Sequence, residues 1–495
     1  MARSYRFGNC ELRPARRELL VAGRPAPLGG RAFDMLVALV ERSDRVVTKD
    51  ELLDIAWHGA DVGDNNLQVQ AFALRKHLGR HAIATVPGRG YRFALDVTAD
   101  SPSLLGIPSS GRLLLLDDSE GAADRHLAKM AARARAILQA ILASPDMGFR
   151  NPHVADVDGL DVALELASGR GRADATGWIA EALVRIDASR NAYGRMRERM
   201  RRAHELLPTA RDAETRARLW TAVAFSRHTP FPPAPKLLAH RNEVAAWRRV
   251  GDRLHLYEAL ARQAIAYGSS GRFAEAHAAL AEAKAIEDAA WEPARRLALA
   301  FARATVAAYG DAPGRFSLLV DDEERLARQA GSLRFLGNAK LYRAEAALNL
   351  GRPRDALRIA ERILGALAGR EDSLGHSIAS AIRCHALVAL GHDADAVDAA
   401  RGALAFGGPN GRAAWFLDVL ALASARRDRS RESAALLGFA DAHYREIDEV
   451  RRAQDRRCAD EAQERNRVRL GRHATWIRRA RAVSPPSELS GYALD

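Results

Sequence analysis

The stretch between residues 65 and 76 combines side chains that suit the reading of a nucleic-acid duplex. Its amides can form paired hydrogen bonds with adenine, and its apolar side chains can touch the methyl group of thymine. Its two cations, Arg75 and Lys76, can hold phosphates. The candidates in this stretch are Asn65, Gln68, Val69, Gln70, Phe72, Ala73, Arg75 and Lys76. A further cation, Arg89, lies between Gly88 and Gly90, and a narrow minor groove attracts an arginine on such a tight turn.

A helix must position the first set of side chains, because a helix fits the major groove. Leu67, Ala71, Leu74 and Leu78 recur at helical spacing, so they should share one face and pack inwards. The DNA-reading candidates, apart from Gln70 and Arg75, fall on the opposite side of this helix, which ends at Gly79.

The sequence also predicts the helices and strands around this helix. Periodicity predicts a first helix over residues 32–42. Thr48 precedes Glu51 by three positions, a capping box that begins a second helix over residues 49–57. Short alternating runs before residue 29 predict strands, and residues 83–93 predict a strand, a turn and a strand. Strands, three helices and a hairpin in this order make a winged-helix arrangement.

Residues 5–95 resemble the OmpR/PhoB-type winged-helix domain. The resemblance lies in residues 45–53 with Trp57, 66–70 with 73–79, and 85–93. It implies that Trp57 and Thr85 contact the DNA backbone. Family members often carry arginines where this chain has Phe72, Ala73 and Pro87, which implies fewer ionic contacts and leaves the target sequence open.

Several of these residues also have a purely structural interpretation. Trp57 can be a core residue, and Tyr91 and Phe93 are more typical of the core of the wing. Phe72 can dock another domain instead of DNA. The cations Arg75, Lys76 and Arg89 could simply be solvated, but their position favours contact with DNA.

The fold class is therefore mixed. We expect a small α+β winged helix-turn-helix domain at residues 1–98, a linker at 99–111 and an all-α, tetratricopeptide-like solenoid at 112–485. Turns at Gly271, Gly351 and Gly391 look alike and are 80 and 40 residues apart, with a weaker copy at Gly310. Glycine after a helix provides a left-handed cap, and a period near 40 is typical of helical repeats.

The later part of the chain, around residues 433–442, is similar to bacterial regulators that join a winged helix, an ATPase module and tetratricopeptide-like repeats. The ATPase module itself is missing from the pattern. The one candidate phosphate loop, residues 106–113, has Arg112 and Leu113 where a working loop needs Lys and Ser or Thr. Residues 449–482 form an arginine-dense helix, for which a solvated face is favoured over a second contact with DNA.

Composition limits the alternatives. The net charge of +13 agrees with a nucleic-acid partner, although arginine- and alanine-rich coding bias would also produce it. The three cysteines, Cys10, Cys384 and Cys458, are far apart and predict isolated thiols. No spacing of residues suggests a catalytic site, a metal site or a cofactor. No apolar run suits a signal peptide or a membrane span, so a cytoplasmic protein is expected.

These observations predict a non-enzymatic transcription regulator. Its partners would be double-stranded DNA, RNA polymerase, an effector or protein on the repeats, and a second copy of the chain. One alternative is an interaction scaffold whose winged helix has lost DNA binding, which the absence of arginine at Phe72 and Ala73 favours. Another is an ATP-driven switch that uses the degenerate loop.

Overall fold

The computed structural model divides the chain into two units, Met1–Ala123 and Asp124–Asp495. The structure describes residues 4–7, 10–13, 18–21, 24–26, 28–41, 47–48, 51–52, 67, 70–71, 74–75, 78, 82–86, 90–93, 98–100, 120–143, 154–169, 176–189, 193–225, 235–310, 312–368, 374–407 and 414–481. Within these ranges no helix is long and apolar enough to cross a membrane.

The first unit begins with an antiparallel meander. Its strands are β1 (Ser4–Phe7), β2 (Cys10–Arg13), β3 (Glu18–Val21) and β4 (Arg24–Pro25). A later strand, β8 (Thr98–Asp100), pairs with β1 and completes the sheet in the order β4-β3-β2-β1-β8. The predicted end of the domain at residue 98 therefore falls at the start of a strand that the sequence did not reveal.

A helix and a second sheet complete the core of this unit. Helix α1 (Gly30–Glu41) buries Phe33, Leu36 and Val40 as its periodicity predicts. The second sheet contains β5 (Val47–Thr48), β6 (Ile83–Val86) and β7 (Gly90–Phe93) in the order β5-β7-β6. The two sheets share one core, in which the rings of Phe7 and Phe93 meet edge to face at 4.9 Å.

The remaining described part of the chain is helical, as predicted. Its helices are α2 (Glu120–Ala143), α3 (Val154–Gly169), α4 (Thr176–Ser189), α5 (Tyr193–Leu206), α6 (Ala213–Ala224), α7 (Lys236–Val250), α8 (Arg253–Ser269), α9 (Phe273–Ile286), α10 (Pro293–Tyr309), α11 (Pro313–Gln329), α12 (Leu333–Asn349), α13 (Pro353–Ala366), α14 (Leu374–Ala389), α15 (Asp393–Gly407), α16 (Ala414–Arg426), α17 (Ser430–Glu446), α18 (Ala453–Leu470) and α19 (Arg472–Arg481).

From α8 to α17 these helices form pairs of the tetratricopeptide type. The two helices of each pair pack on each other across a short turn, and the first helices α8, α10, α12, α14 and α16 also pack in series. Since each pair buries its apolar face against its neighbours, the repeats form a solenoid whose core is a series of neighbouring apolar clusters.

The predicted repeat turns have a common geometry. Gly271, Gly351 and Gly391 have φ values of +76°, +70° and +79°, which permit the left-handed cap. In each turn the next amide returns to a carbonyl of the last helical turn, as from Arg352 to Ala347 at 2.8 Å. Gly310 differs, because its φ of −84° and ψ of 176° are extended, so the weaker copy is not a left-handed cap.

The prediction of one solvated helix over residues 449–482 is wrong. The segment contains a turn and two helices, α18 and α19, which are separated at Gly471 with a φ of +54°. Arg451 and Arg452 face inwards and form ion pairs with the buried residues Asp418 and Glu345. Arg467 and Arg469, farther along, are exposed as expected.

Candidate nucleic-acid interface

The third helix of the first unit presents the predicted face to the core. Its described positions, residues 67, 70, 71, 74, 75 and 78, are helical. Leu67, Ala71 and Leu74 have exposures of 1%, 0% and 0%, and Leu78 packs partly buried against the same core. Their burial fixes the rotation of the helix about its axis, and that rotation decides which side chains can point away from the domain.

Two candidate side chains of this helix are described, and both are half-buried. Gln70 is one of them. The other, Arg75, donates hydrogen bonds from Nε and Nη2 to the carbonyl oxygen of Ile83, at 3.0 and 2.8 Å. Arg75 therefore joins the helix to strand β6. Its contact with a DNA phosphate stays a prediction, now for a side chain that also has a structural role.

The predicted hairpin after this helix is confirmed as the pair β6–β7, with Val86 opposite Gly90 and Ile83 opposite Phe93. Strand β7 also pairs with β5, where Thr48 lies opposite Gly90. The core interpretation of Tyr91 and Phe93 is confirmed, because both are buried. Strands β6 and β7 of this three-stranded sheet therefore flank residues 87–89, which include Arg89 and lie outside the described residues.

Glycine is required at one position of this sheet. A Cβ atom on Gly90 would lie 2.0 Å from the carbonyl oxygen of Val47 and 2.8 Å from the Cα of Thr48. Real Cβ atoms do not approach backbone so closely. The side-chain-free residue thus lets β7 approach β5 at the base of the wing.

The capping box at the second helix is confirmed. The amide of Thr48 donates to Glu51 Oε2 at 3.0 Å, and the amide of Glu51 donates to Thr48 Oγ1 at 3.2 Å. These reciprocal bonds satisfy two amide donors at the start of a helix. Since Thr48 also ends β5, the cap connects this helix to the sheet of the wing.

Most of the other predicted DNA contacts fall outside the described residues. These are Trp57, Asn65, Gln68, Val69, Phe72, Ala73, Lys76 and Arg89. Thr85 lies in β6 opposite Tyr91, and its side chain is outside the description as well. The degenerate phosphate loop at residues 106–113 also lies outside the described residues.

The described residues also bear on metal binding and thiol chemistry. No group of three or more His, Cys, Asp or Glu side chains within them is placed to hold a metal ion. Cys10, Cys384 and Cys458 are all buried, and none of them forms a disulfide in the described part of the chain. Burial raises the pKa of Cys384 to about 12, so its thiol is not activated as a nucleophile.

Sequence reasoning missed two features of the site. One is the bond from Arg75 to Ile83, because eight residues and an element boundary separate them. The other is strand β5, which has only two residues and no alternation to reveal it. The glycine that follows Arg89 was the available signal for a close approach of two strands at this point.

Comparison with known proteins shows which family and which regulators the first unit is similar to. The family described as transcriptional regulatory protein, C terminal, matches residues 23–93. The chain is 37% identical over 84 residues to the transcriptional regulatory protein CutR of Streptomyces coelicolor, covering 17% of this chain and 39% of CutR. It is 32% identical over 91 residues to the phosphate regulon regulator PhoB of Pseudomonas aeruginosa, covering 18% of this chain and 40% of PhoB.

Among solved structures, the DNA-binding domain of CadC from Escherichia coli is 31% identical with a TM-score of 0.18. The match covers 19% of this chain and 94% of that domain. The matched part of the chain thus covers about two fifths of the length of the regulators CutR and PhoB. The first unit carries an OmpR/PhoB-type winged-helix DNA-binding domain, and its relatives are transcription regulators.

Proposed function

We propose that the chain is a sequence-specific DNA-binding transcription regulator. Its third helix enters the major groove and its wing lies at the minor groove. The observation that carries this proposal is the winged-helix domain at residues 23–93, whose relatives regulate transcription. The burial of Leu67, Ala71 and Leu74 supports this orientation of the helix. Their face packs against the core, so the opposite face points away from the domain.

In this proposal each candidate has a distinct role. The side chains that meet base edges are Asn65, Gln68, Val69, Phe72 and Ala73, and the half-buried Gln70 also contacts the DNA. Arg75 and Lys76 hold phosphates, and Arg75 also donates to the Ile83 carbonyl. Arg89 reaches the minor groove, and Trp57 and Thr85 contact the DNA backbone.

The helical repeats have a second role. A solenoid offers an extended surface to a partner or an effector. We infer that the repeats sense such a molecule or recruit RNA polymerase. We also infer that two copies of the chain bind repeated half-sites, since winged helices of one regulator then occupy neighbouring turns of the duplex.

The test is a mobility-shift titration of the full chain on its own upstream DNA at several salt concentrations. Lys76→Ala and Arg89→Ala should each weaken binding and reduce the slope of log Kd against log salt by about one. Lys76 contacts a phosphate and Arg89 lies in the minor groove between the phosphate backbones, so each cation releases a counterion on binding. Arg325→Ala is the matched control, since Arg325 is exposed on a repeat helix and pairs with Asp322 one turn earlier on the same helix. Unchanged salt slopes in both variants would contradict the proposed interface.

A scaffold without DNA binding is the second candidate. Phe72 and Ala73 favour it, because related domains often carry arginines at these positions. The same titration separates the two functions. If the chain shifts neither its upstream DNA nor any sequence from a randomised pool, the scaffold is correct and the regulator is not.

A further inference from the structure

A short turn closes one side of the repeat region. Residues 447–452, which we call the strap, connect α17 to α18 and reach the ends of much earlier helices. The amide of Val450 donates to the carbonyl of Ser269 at 2.7 Å, and the Ser270 hydroxyl donates to the carbonyl of Asp448 at 2.9 Å. The Tyr309 hydroxyl donates to Glu449 Oε2 at 3.2 Å. The strap is therefore fixed to the ends of α8 and α10.

The other end of the strap is anchored by buried charges. Arg451 Nε donates to Asp418 Oδ2 at 2.8 Å, and Arg452 Nη1 donates to Glu345 Oε2 at 2.7 Å. Asp418 and Glu345 are both buried. Because removing either partner would leave an uncompensated buried charge, these pairs hold the strap in one position.

The strap forms a wall of the cavity of about 840 Å³ that lies between it, helices α17–α19 and the ends of α8 and α10. This volume lies within the range of small-molecule sites in proteins. One wall is apolar and partly aromatic, with Phe273, Tyr309, Leu437, Tyr444 and Val450. A flat or apolar body would find van der Waals partners there.

The polar part of the lining is cationic. Arginines outnumber carboxylates by six to three, with Asp441, Glu449 and Asp460 as the acidic residues. The arginines are Arg445, Arg451, Arg456, Arg467, Arg478 and Arg479. Two of them, Arg451 and Arg478, share Asp441. Planar guanidinium groups match carboxylates and phosphates in geometry.

Two residues of the lining also hold a buried oxygen for which no hydrogen-bond partner lies in the described part of the chain. These atoms are the Tyr444 hydroxyl and Asn466 Oδ1, whereas Asn466 Nδ2 donates to Ser433 at 2.8 Å. A buried polar group without a partner costs free energy. A polar occupant would offset this cost after small movements of the two side chains.

We propose that this cavity binds a small aromatic anion, with the ring on the Tyr309 and Phe273 wall and a carboxylate or phosphate on the arginines. This inference deepens the proposed function, because it assigns the sensed effector a place and a chemical class. Arg479 is the cation to test first, since it is exposed at the edge of the cavity on α19. Thr475, one turn earlier and also exposed, is the position at which a large side chain would obstruct the cavity.

The experiment is a fluorescence titration of the full chain, without DNA, with 1-anilinonaphthalene-8-sulfonate as the aromatic anion. Arg479→Gln should raise its Kd about tenfold, and Thr475→Trp should abolish binding at the cavity. Arg472→Gln is the matched control, because Arg472 is an exposed arginine on the same helix that does not line the cavity. Unchanged binding in both cavity variants, or no binding by the wild-type chain, would overturn the proposal.

Competition then identifies the natural anionic group. Displacement by 4-hydroxybenzoate supports a carboxylate, and displacement by adenosine 5′-monophosphate supports a phosphate. The neutral analogues 4-hydroxybenzyl alcohol and adenosine should compete at least tenfold more weakly, and equal competition would overturn the preference for an anion. Because the titration contains no DNA, a chain that fails to bind DNA still gives a clear result for the cavity.

Discussion

Arg75 in the third helix of the winged-helix domain donates two hydrogen bonds to the carbonyl oxygen of Ile83, the first residue of β6. A cation on the helix that is proposed to read DNA thereby makes a structural contact inside the domain. Two bonds from one planar group fix both distance and orientation. Arg75 therefore hydrogen-bonds the helix to the wing, two elements that are proposed to occupy different grooves.

The first prediction concerns this bond. Arg75→Ala should reduce the local stability of the wing by about 1–3 kcal/mol, because the Ile83 carbonyl loses charged donors. Arg75→Lys should behave similarly, since lysine keeps the charge but lacks the planar fork. Hydrogen–deuterium exchange of residues 83–93 in the full chain measures the effect, with Arg325→Ala as control. Wild-type exchange rates in both variants would show that the bond does not hold the wing.

The second prediction uses two glycines of the same unit. Gly90→Ala should destabilise the winged helix by about 3 kcal/mol or more and weaken DNA binding, because the new Cβ would collide with Val47. Gly29→Ala is the matched control, since a Cβ there meets no atom within 4 Å. Thermal unfolding and DNA binding of the two variants should differ clearly, and equal behaviour would refute the close approach of β7 to β5.

The third prediction tests the capping box. Thr48→Ala should lower the free energy of unfolding by about 1 kcal/mol, because the amide of Glu51 loses its acceptor. Glu51→Gln should lower the free energy of unfolding by a smaller amount, since a glutamine can still accept from the amide of Thr48. Urea denaturation of the full chain, followed by exchange at residues 47–52, gives both values. A larger loss in Glu51→Gln than in Thr48→Ala would mean that charge, and not capping, is the main contribution.

The fourth prediction concerns pH. The hydrogen bond with the His255 side chain lowers the pKa of Asp252 to about 2, and the His255 amide adds to this effect. An aspartate in the unfolded chain has a pKa near 3.9, so the folded state binds fewer protons. The stabilisation is present above about pH 4 and is lost as the pH falls towards 2.

Melting temperatures at pH 6 and pH 3 test this sign. Asp252→Asn should be less stable than the wild type at pH 6, by up to about 1 kcal/mol, with a smaller difference at pH 3. Asp212→Asn is the matched variant, because Asp212 caps α6 through the amide of Thr215. A difference for Asp252→Asn that grows on acidification would contradict the lowered pKa.

Local patterns in the sequence predicted the parts of the fold that depend on near neighbours. The spacing of Leu67, Ala71 and Leu74 predicted a buried helix face, and Thr48 with Glu51 predicted a cap. The glycines at 271, 351 and 391 predicted the repeat turns, because a left-handed residue is most often glycine. A further turn of the same kind has Asp428 in the left-handed conformation, with a φ of 62°, and therefore gave no signal.

Features that depend on distant residues were not predictable in this way. Strand β8 forms only because β1 lies beside it, more than ninety residues earlier. The arginines at 451 and 452 resemble solvated charges in a sequence with interleaved acids, but their partners, Asp418 and Glu345, belong to other helices. Charge patterning within one helix carries no information about such partners, so the closed strap and its cavity emerged only from the structure.

The last prediction addresses the anchor of the strap. Glu345, with an exposure of 1%, accepts from Arg452 Nη1 at 2.7 Å and from Gln454 Nε2 at 2.9 Å. Arg452→Met removes the cation and leaves a buried carboxylate, so the free energy of unfolding should fall by about 3–5 kcal/mol.

Adding Glu345→Leu to Arg452→Met should restore much of this loss, because two apolar side chains no longer leave a charge in the core. Urea denaturation of the wild type, both single variants and the double variant gives a coupling energy for the pair. The exposed pair of Arg467 and Glu464, truncated with Arg467→Ala, is the control and should cost less than about 1 kcal/mol. If Arg452→Met costs no more than this control, the pair does not anchor the strap, and the cavity wall must depend on the backbone bond between Val450 and Ser269 instead.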